Sequence, residues 1–128
     1  MTIKSAQTMV ADALSEVKTI SPSEALELSS KNECSLIDIR DKIELQNLGR
    51  IENSFHISRG LLEFSIHPDS PYVQNNDLDL NKEIVLFCAA GGRSALAAKT
   101  LKEMGFKKVS HVEGGFGKMS NSGFKVIK

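Results

Sequence analysis

Apolar residues near the amino terminus recur at steps of three and four: Ile3, Ala6, Met9, Val10, Ala13, Leu14 and Val17. That spacing marks one face of a helix and predicts an amphipathic helix over residues 3–16. A short strand over 17–20 follows. Ser21-Pro22-Ser23-Glu24 reads as a helix start, with Ser21 as cap, Pro22 at the first helical position and Glu24 closing a capping box. That helix runs to Ser30. Residues 35–39 (SLIDI) predict a strand, 41–48 a short helix stopped by Gly49, and 54–57 (SFHI) another strand. A short helix is expected over 59–66, where Leu61, Leu62, Phe64 and Ile66 are apolar. Residues 67–82 hold two prolines and several Asn and Asp, and predict a loop. The run IVLF at 84–87 is continuously apolar, which suits a buried parallel strand. Residues 93–104 are the strongest helical stretch, ended by Gly105. A fifth strand over 108–112 and a short helix over 116–121 complete the chain, with Glu113-Gly114-Gly115 turning between them.

Strands alternating with helices imply parallel pairing through crossovers. The expected fold is a three-layer α/β/α domain around a five-stranded, mostly parallel sheet. The amino-terminal helix, residues 1–16, reads as an extension packed on a domain of residues 17–128. In such folds sites form outside the carboxyl ends of the strands. Those ends carry Asp38-Ile39-Arg40, Ser58-Arg59, Cys88 with its loop, and Glu113-Gly114-Gly115. Cys88 ends the most apolar strand, which is expected at the centre.

Composition narrows the function classes. The chain is 41% hydrophobic and 25% charged, as an ordinary globular domain is. Sixteen basic residues balance sixteen acidic ones, which argues against a broad electrostatic footprint for nucleic acid or an anionic membrane. No apolar run approaches the roughly 18–20 residues of a membrane span, and polar residues interrupt the amino terminus too often for a secretory signal. The two cysteines, Cys34 and Cys88, make neither a disulfide framework nor a zinc spacing. Free thiols in a reducing cytoplasm are therefore expected, with no metal, cofactor, nucleic acid or membrane involved.

The stretch Cys88-Ala89-Ala90-Gly91-Gly92-Arg93-Ser94 carries the chemistry. Two small residues and two glycines permit a tight loop with positive φ where needed. Successive N–H groups of such a loop form an anion-binding nest, and the helix that follows directs its positive end at the same spot. Arg93 adds a permanent cation or buttresses the loop. Each of these favours thiolate over thiol, so the Cys88 pKa is expected below the reference of about 8.5. No histidine adjoins in sequence as a base, and none is needed in this design. The competing reading is a structural cysteine buried at a strand end. The Arg93-Ser94 pair opening the helix favours the reactive thiol.

Five pieces, in order, resemble the single-domain rhodaneses of the sulfurtransferase family, over about residues 20–126. Leu36-Ile37-Asp38-Ile39-Arg40 with Glu44 resembles the family's Asp-x-Arg-x-x-x-Glu segment. Gly49-Arg50-Ile51-Glu52-Asn53-Ser54-Phe55-His56-Ile57 resembles its Gly-His-Ile-x-Gly-Ala-x-Asn-Ile segment, with Arg50, Asn53, Ser54 and His56 as departures. Cys88–Ser94 resembles the active-site loop. Met104-Gly105-Phe106 and Val112-Glu113-Gly114-Gly115-Phe116 resemble the closing motifs, with Met119 where a Trp is frequent. The resemblance implies a two-step sulfur transfer. Cys88 takes the sulfane sulfur of thiosulfate or a persulfide, and the backbone N–H groups of Ala89, Ala90, Gly91, Gly92, Arg93 and Ser94 hold the resulting persulfide. A thiol, cyanide or a sulfur-accepting protein then removes the outer sulfur. Related phosphatases of this fold space Cys and Arg by one residue more than the four here, which disfavours phosphatase and arsenate reductase readings. Rhodanese modules also serve as inactive or regulatory domains, and that alternative stays open.

The remaining candidates carry weaker signals. Arg59, after the third strand, either attracts an anionic donor or is a solvated helix-start arginine. Asp38 and Arg40 are expected to brace the site by ion pairing, with Glu44 part of that bracing or exposed. His56 reads as packed or exposed, and His67 and His111 carry no motif. Cys34 is not expected within disulfide reach of Cys88.

Overall fold

The computed structural model describes residues 2–128. Ser5 caps the first helix, α1 (Ala6–Leu14), by accepting the Thr8 N–H, so the helix starts later than its apolar pattern. Strand β1 (Lys18–Ile20) leads to α2 (Pro22–Ser30), whose start is the expected capping box: Ser21 accepts the Glu24 N–H and Glu24 accepts the Ser21 N–H. Then come β2 (Cys34–Asp38), α3 (Lys42–Leu48), β3 (Arg50–Ile51) and β4 (Phe55–His56). The helix expected over 59–66 divides into a tight 3-10 turn (Arg59–Leu61) and α4 (Leu62–Ser65). The segment expected to be loop holds one helical turn, α5 (Pro71–Gln74), capped by Ser70 with Pro71 at its start. This repeats the Ser-Pro signal of α2 on too short a scale to show a helical period. Strand β5 (Glu83–Phe87), α6 (Gly92–Met104), β6 (Val109–Val112), α7 (Gly115–Met119) and β7 (Val126–Ile127) follow.

Five strands form one sheet in the order β1-β6-β5-β2-β4, with every pairing parallel. The apolar strand β5 lies at its centre, as its sequence requires. A second sheet, absent from the sequence reading, pairs β3 and β7 antiparallel through Arg50 with Ile127 and Ile51 with Val126. Two residues per strand give no alternation to read, and the partner lies at the other end of the chain.

Strand alternation divides the core in two. Ile37, Ile39, Leu86 and Cys88 face Ala97, Ala98 and Leu101 of α6. Leu36, Val85, Phe87 and Val112 face Ala25 of α2 and Phe116 and Met119 of α7. Helix α1 lies on α6, with Ala13 buried, Glu16 paired to Lys99 and Val10 beside Gly92. No helix among the described residues is long and apolar enough to cross a membrane.

At the carboxyl end of β2, Asp38 and Arg40 form a fully buried ion pair. Arg40 donates from Nη2 at 2.7 Å and from Nε at 3.0 and 3.1 Å, and its backbone N–H also reaches the Asp38 carboxylate. Nη2 donates again to the Gly49 carbonyl, and the guanidinium lies 3.9 Å from the Phe116 ring centre. One side chain thus ties β2, the end of α3 and α7 together. Removing one partner of a buried pair strands the other charge, which costs about 3–5 kcal/mol. Asp38→Ala is therefore expected to lower the urea unfolding free energy by that amount; a loss under ~1 kcal/mol would show that the pair braces nothing.

Candidate active site

Cys88, a buried residue 1% exposed, places its sulfur just past β5, where the loop bends into α6. It accepts the Gly91 N–H at 3.1 Å and the Ser94 N–H at 3.3 Å. Gly91 makes this possible: its φ of 111° turns the chain back over the sulfur at the cap of α6. The loop carbonyls are held on the other side. Cys88 O accepts the Phe116 N–H at 2.8 Å and Ala89 O accepts the Gly117 N–H at 3.1 Å, both from the start of α7. In a trans peptide the N–H points opposite the C=O. The N–H groups of Ala89 and Ala90 therefore point away from α7, and no acceptor among the described residues occupies them. Those of Gly92 and Arg93 fall in the first turn of α6, which has no intrahelical acceptor for them. The site is a ring of backbone donors around one sulfur, at the positive end of a 13-residue helix.

Arg93 turns its guanidinium onto Glu44 of α3, donating to both carboxylate oxygens at 2.9 and 3.1 Å. Its charge is thus matched, and it pins α3 to the loop. Asp38 and Arg40 lie beneath the same edge as the buried pair. Arg59 donates to Glu63 at 2.8 Å and to Thr100 at 3.3 Å. Thr100 is eight residues past Gly92, about 12 Å along α6 from the loop, and the cavity there is lined by Lys4, Met9 and Asp12 of the amino-terminal segment. The structure thus gathers Cys88 and the loop 89–94 into one site and seats the Arg59 guanidinium elsewhere on α6. His56 donates to the Arg40 carbonyl at 2.7 Å, and His67 lies on the surface beside Asp69. Cys34 begins β2 opposite Glu83, five residues before Cys88 on β5, hence about 16 Å from it. Burial pushes the Cys34 thiol up to about 11, and a disulfide between the two is out of reach.

Two contacts escaped the sequence reading. His111, buried on β6, places Nδ1 3.0 Å from Ser94 Oγ. Gly115, at φ 55°, lets α7 close on the loop, because a Cβ there would stand 2.3 Å from the Cys88 carbonyl oxygen. Period-two alternation places His111 on the Val109 side of its strand. Only the adjacency of β6 and β5 puts that face beside Cys88. Among the described residues no group of three or more His, Cys, Asp or Glu could hold a metal ion.

Comparison with known proteins supplies the family to which this sheet and its cysteine loop belong. The model of the rhodanese-like domain matches residues 21–122, and the chain belongs to that family. It is 35% identical over 103 residues to the thiosulfate sulfurtransferase GlpE of Pseudomonas putida, covering 80% of this chain and 84% of that one. The polysulfide-sulfur transferase homodimer of Wolinella succinogenes is 36% identical with a TM-score of 0.73, over 94% of this chain and 85% of the other. A protein of unknown function from Rhodopseudomonas palustris, described as a possible tyrosine phosphatase, is 40% identical with a TM-score of 0.86, over 99% and 98%.

The Arg93 guanidinium, hydrogen-bonded to Glu44, holds that carboxyl below the usual carboxylate range. A carboxyl whose folded pKa is depressed stabilises fully above its unfolded pKa and loses that contribution as pH falls through the folded one. The stability difference between wild type and Glu44→Gln is expected to be constant above the usual carboxylate range and to shrink below it; a flat difference down to acid unfolding would refute the pairing. Gly115→Ala is expected to destabilise the fold by about 1–3 kcal/mol and to disorder the loop, read by calorimetry and by exchange of the Ser94 amide. Unchanged protection of that amide would separate α7 from the loop.

Proposed function

We propose that the protein is a sulfurtransferase working through a persulfide on Cys88, with thiosulfate or a persulfide as donor and a thiol, cyanide or a sulfur-accepting protein as acceptor. The observation that carries this reading is the ring of backbone N–H groups, two already on Sγ and those of Ala89 and Ala90 unoccupied. The Cys88 thiolate attacks the outer sulfur of the donor. A Cys88–sulfur bond forms, the donor's own S–S bond breaks, and its electron pair leaves with sulfite when the donor is thiosulfate. The unoccupied N–H groups suit the outer, anionic sulfur of the persulfide. The acceptor then bonds to that sulfur, and Cys88 departs as thiolate. Splitting the transfer at a covalent intermediate makes it ping-pong, and persulfidation is a reversible cysteine cap.

Loop length separates this reading from phosphoryl chemistry. Four residues lie between Cys88 and Arg93, which makes a short ring, and the Arg93 guanidinium is engaged with Glu44, so the cation of the loop is not turned toward a tetrahedral dianion. The activities named for the Pseudomonas and Wolinella relatives support sulfur transfer, while the description of the Rhodopseudomonas protein makes the phosphatase test worth running. The setting proposed is the cytoplasm, with free thiols.

Mass spectrometry of the whole chain provides the test. After thiosulfate or polysulfide, the Cys88 peptide is expected to gain one sulfur atom, lost on adding cyanide as thiocyanate appears; Cys88→Ser gives neither. A Cys88 peptide left unmodified by every donor would favour a binding module, and Cys88-dependent phosphate release from an aryl phosphate would favour the phosphatase.

A further inference from the structure

On the α6 side of the sheet a file of polar groups leads away from the sulfur. Cys88 Sγ lies 3.6 Å from Ser94 Oγ, Ser94 Oγ lies 3.0 Å from His111 Nδ1, and His111 Nε2 lies 2.9 Å from Thr19 Oγ1. Ser94 is 0% and His111 1% exposed, so bulk water satisfies neither, whereas Thr19 on edge strand β1 is exposed. Burying a polar group costs free energy unless its hydrogen bonds are made. Here both ring nitrogens find a hydroxyl partner. The loop motif accounts for Ser94, but not for a buried imidazole held at one nitrogen by an edge strand and at the other by a helix.

A hydroxyl both donates and accepts, and a neutral imidazole does one at each nitrogen. The file therefore has two complete arrangements. In the first, Thr19 donates to Nε2, Nδ1–H donates to Ser94, and the Ser94 hydroxyl donates to a Cys88 thiolate. In the second, the Cys88 S–H points at Ser94, Ser94 donates to Nδ1, and Nε2–H donates to Thr19. They differ by one proton. The S–H bond breaks, each link passes one proton on, Thr19 releases its own to water, and no electron moves. The Gly91 carbonyl, 3.2 Å from Ser94 Oγ, competes for the serine proton, but an anionic sulfur is the stronger acceptor.

We infer that His111 is a positioning residue of this site. With Thr19 fixing its tautomer, it sets the Ser94 hydroxyl as a third donor to the Cys88 sulfur, so that the Cys88 thiolate and the Nδ1–H tautomer form together. The inference rests on reading Cys88 as a thiolate nucleophile, as the proposed function does. The strand-pair and hydrogen-bond partners of His111 are Thr19 on β1, Leu86 on β5 and Ser94 on α6. None is charged, which leaves Cys88, at the end of the file, as the titratable group linked to it. Burial lowers the His111 pKa, which keeps the ring neutral and its tautomer meaningful at neutral pH.

Two measurements on the full chain, neither using a sulfur donor, test it. Nitrogen-15 NMR of His111 is expected to report Nδ1–H while Cys88 is a thiolate, and Nε2–H once Cys88 is alkylated with iodoacetamide. The rate of that alkylation at neutral pH is expected to fall about tenfold in His111→Leu, the loss of one hydrogen bond to a charged group. His111→Asn, which keeps an amide donor near the Nδ1 position, is expected to recover most of the rate. Thr19→Val, at an exposed edge where the fold is safe, is expected to slow it several-fold. One tautomer in both states of Cys88, or wild-type alkylation rates in Thr19→Val and His111→Leu, would overturn the inference. A chain that never accepts sulfur, yet shows the tautomer change, would instead overturn only the proposed function.

Discussion

The start of α7 grips the carbonyls of Cys88 and Ala89, and the geometry of the site depends on that grip. Because the peptide group is planar and trans, fixing a carbonyl on one side fixes the next N–H on the other. The anion-facing ring is thus imposed from below by a helix of five residues lying beyond the next strand. Gly115 is the condition for it, since any Cβ would collide with the carbonyl being held. The buried Arg40 reinforces the arrangement by stacking on Phe116, the residue whose N–H holds Cys88.

Charge at this site comes from oriented peptide dipoles more than from free cations. Arg93 is matched by Glu44 and Arg40 by Asp38, so both arginines shape the loop and its floor. The sulfur faces N–H groups and the positive end of α6. Such dipoles are fixed in direction and cost no reorganisation as charge moves onto a sulfur. The two cysteines show the contrast within one sheet. Cys34 lies at the end of the sheet away from the loop, where burial and the nearby Glu83 push its thiol up. Cys88 lies at the other end, where the loop turns its donors inward.

Much of the fold was legible because its signals are local. The Ser21 capping box, the alanine-rich α6 and the apolar run of β5 each depend on residues within one or two turns of one another. The missed elements lack that locality. Strands β3 and β7 are two residues each and exist only because they meet, and α5 is a single turn. The position of Cys88 before a glycine-rich turn was legible for the same reason. The engagement of Arg59 by Glu63 and Thr100 was not, because its partner on α6 lies far along the chain.

By itself the sequence determined the strand, the turn and the helix that flank Cys88, and with them the loop that brings N–H groups to a sulfur. Those are properties of contiguous residues: periodicity, glycine freedom and helix propensity. The tertiary structure alone decided which distant groups complete the site. Strand order put His111 beside Ser94 and Thr19 beside His111, and the return of α7 turned the loop's carbonyls away. Residues far apart in sequence meet only when a sheet is assembled, and no local pattern encodes which strand becomes whose neighbour.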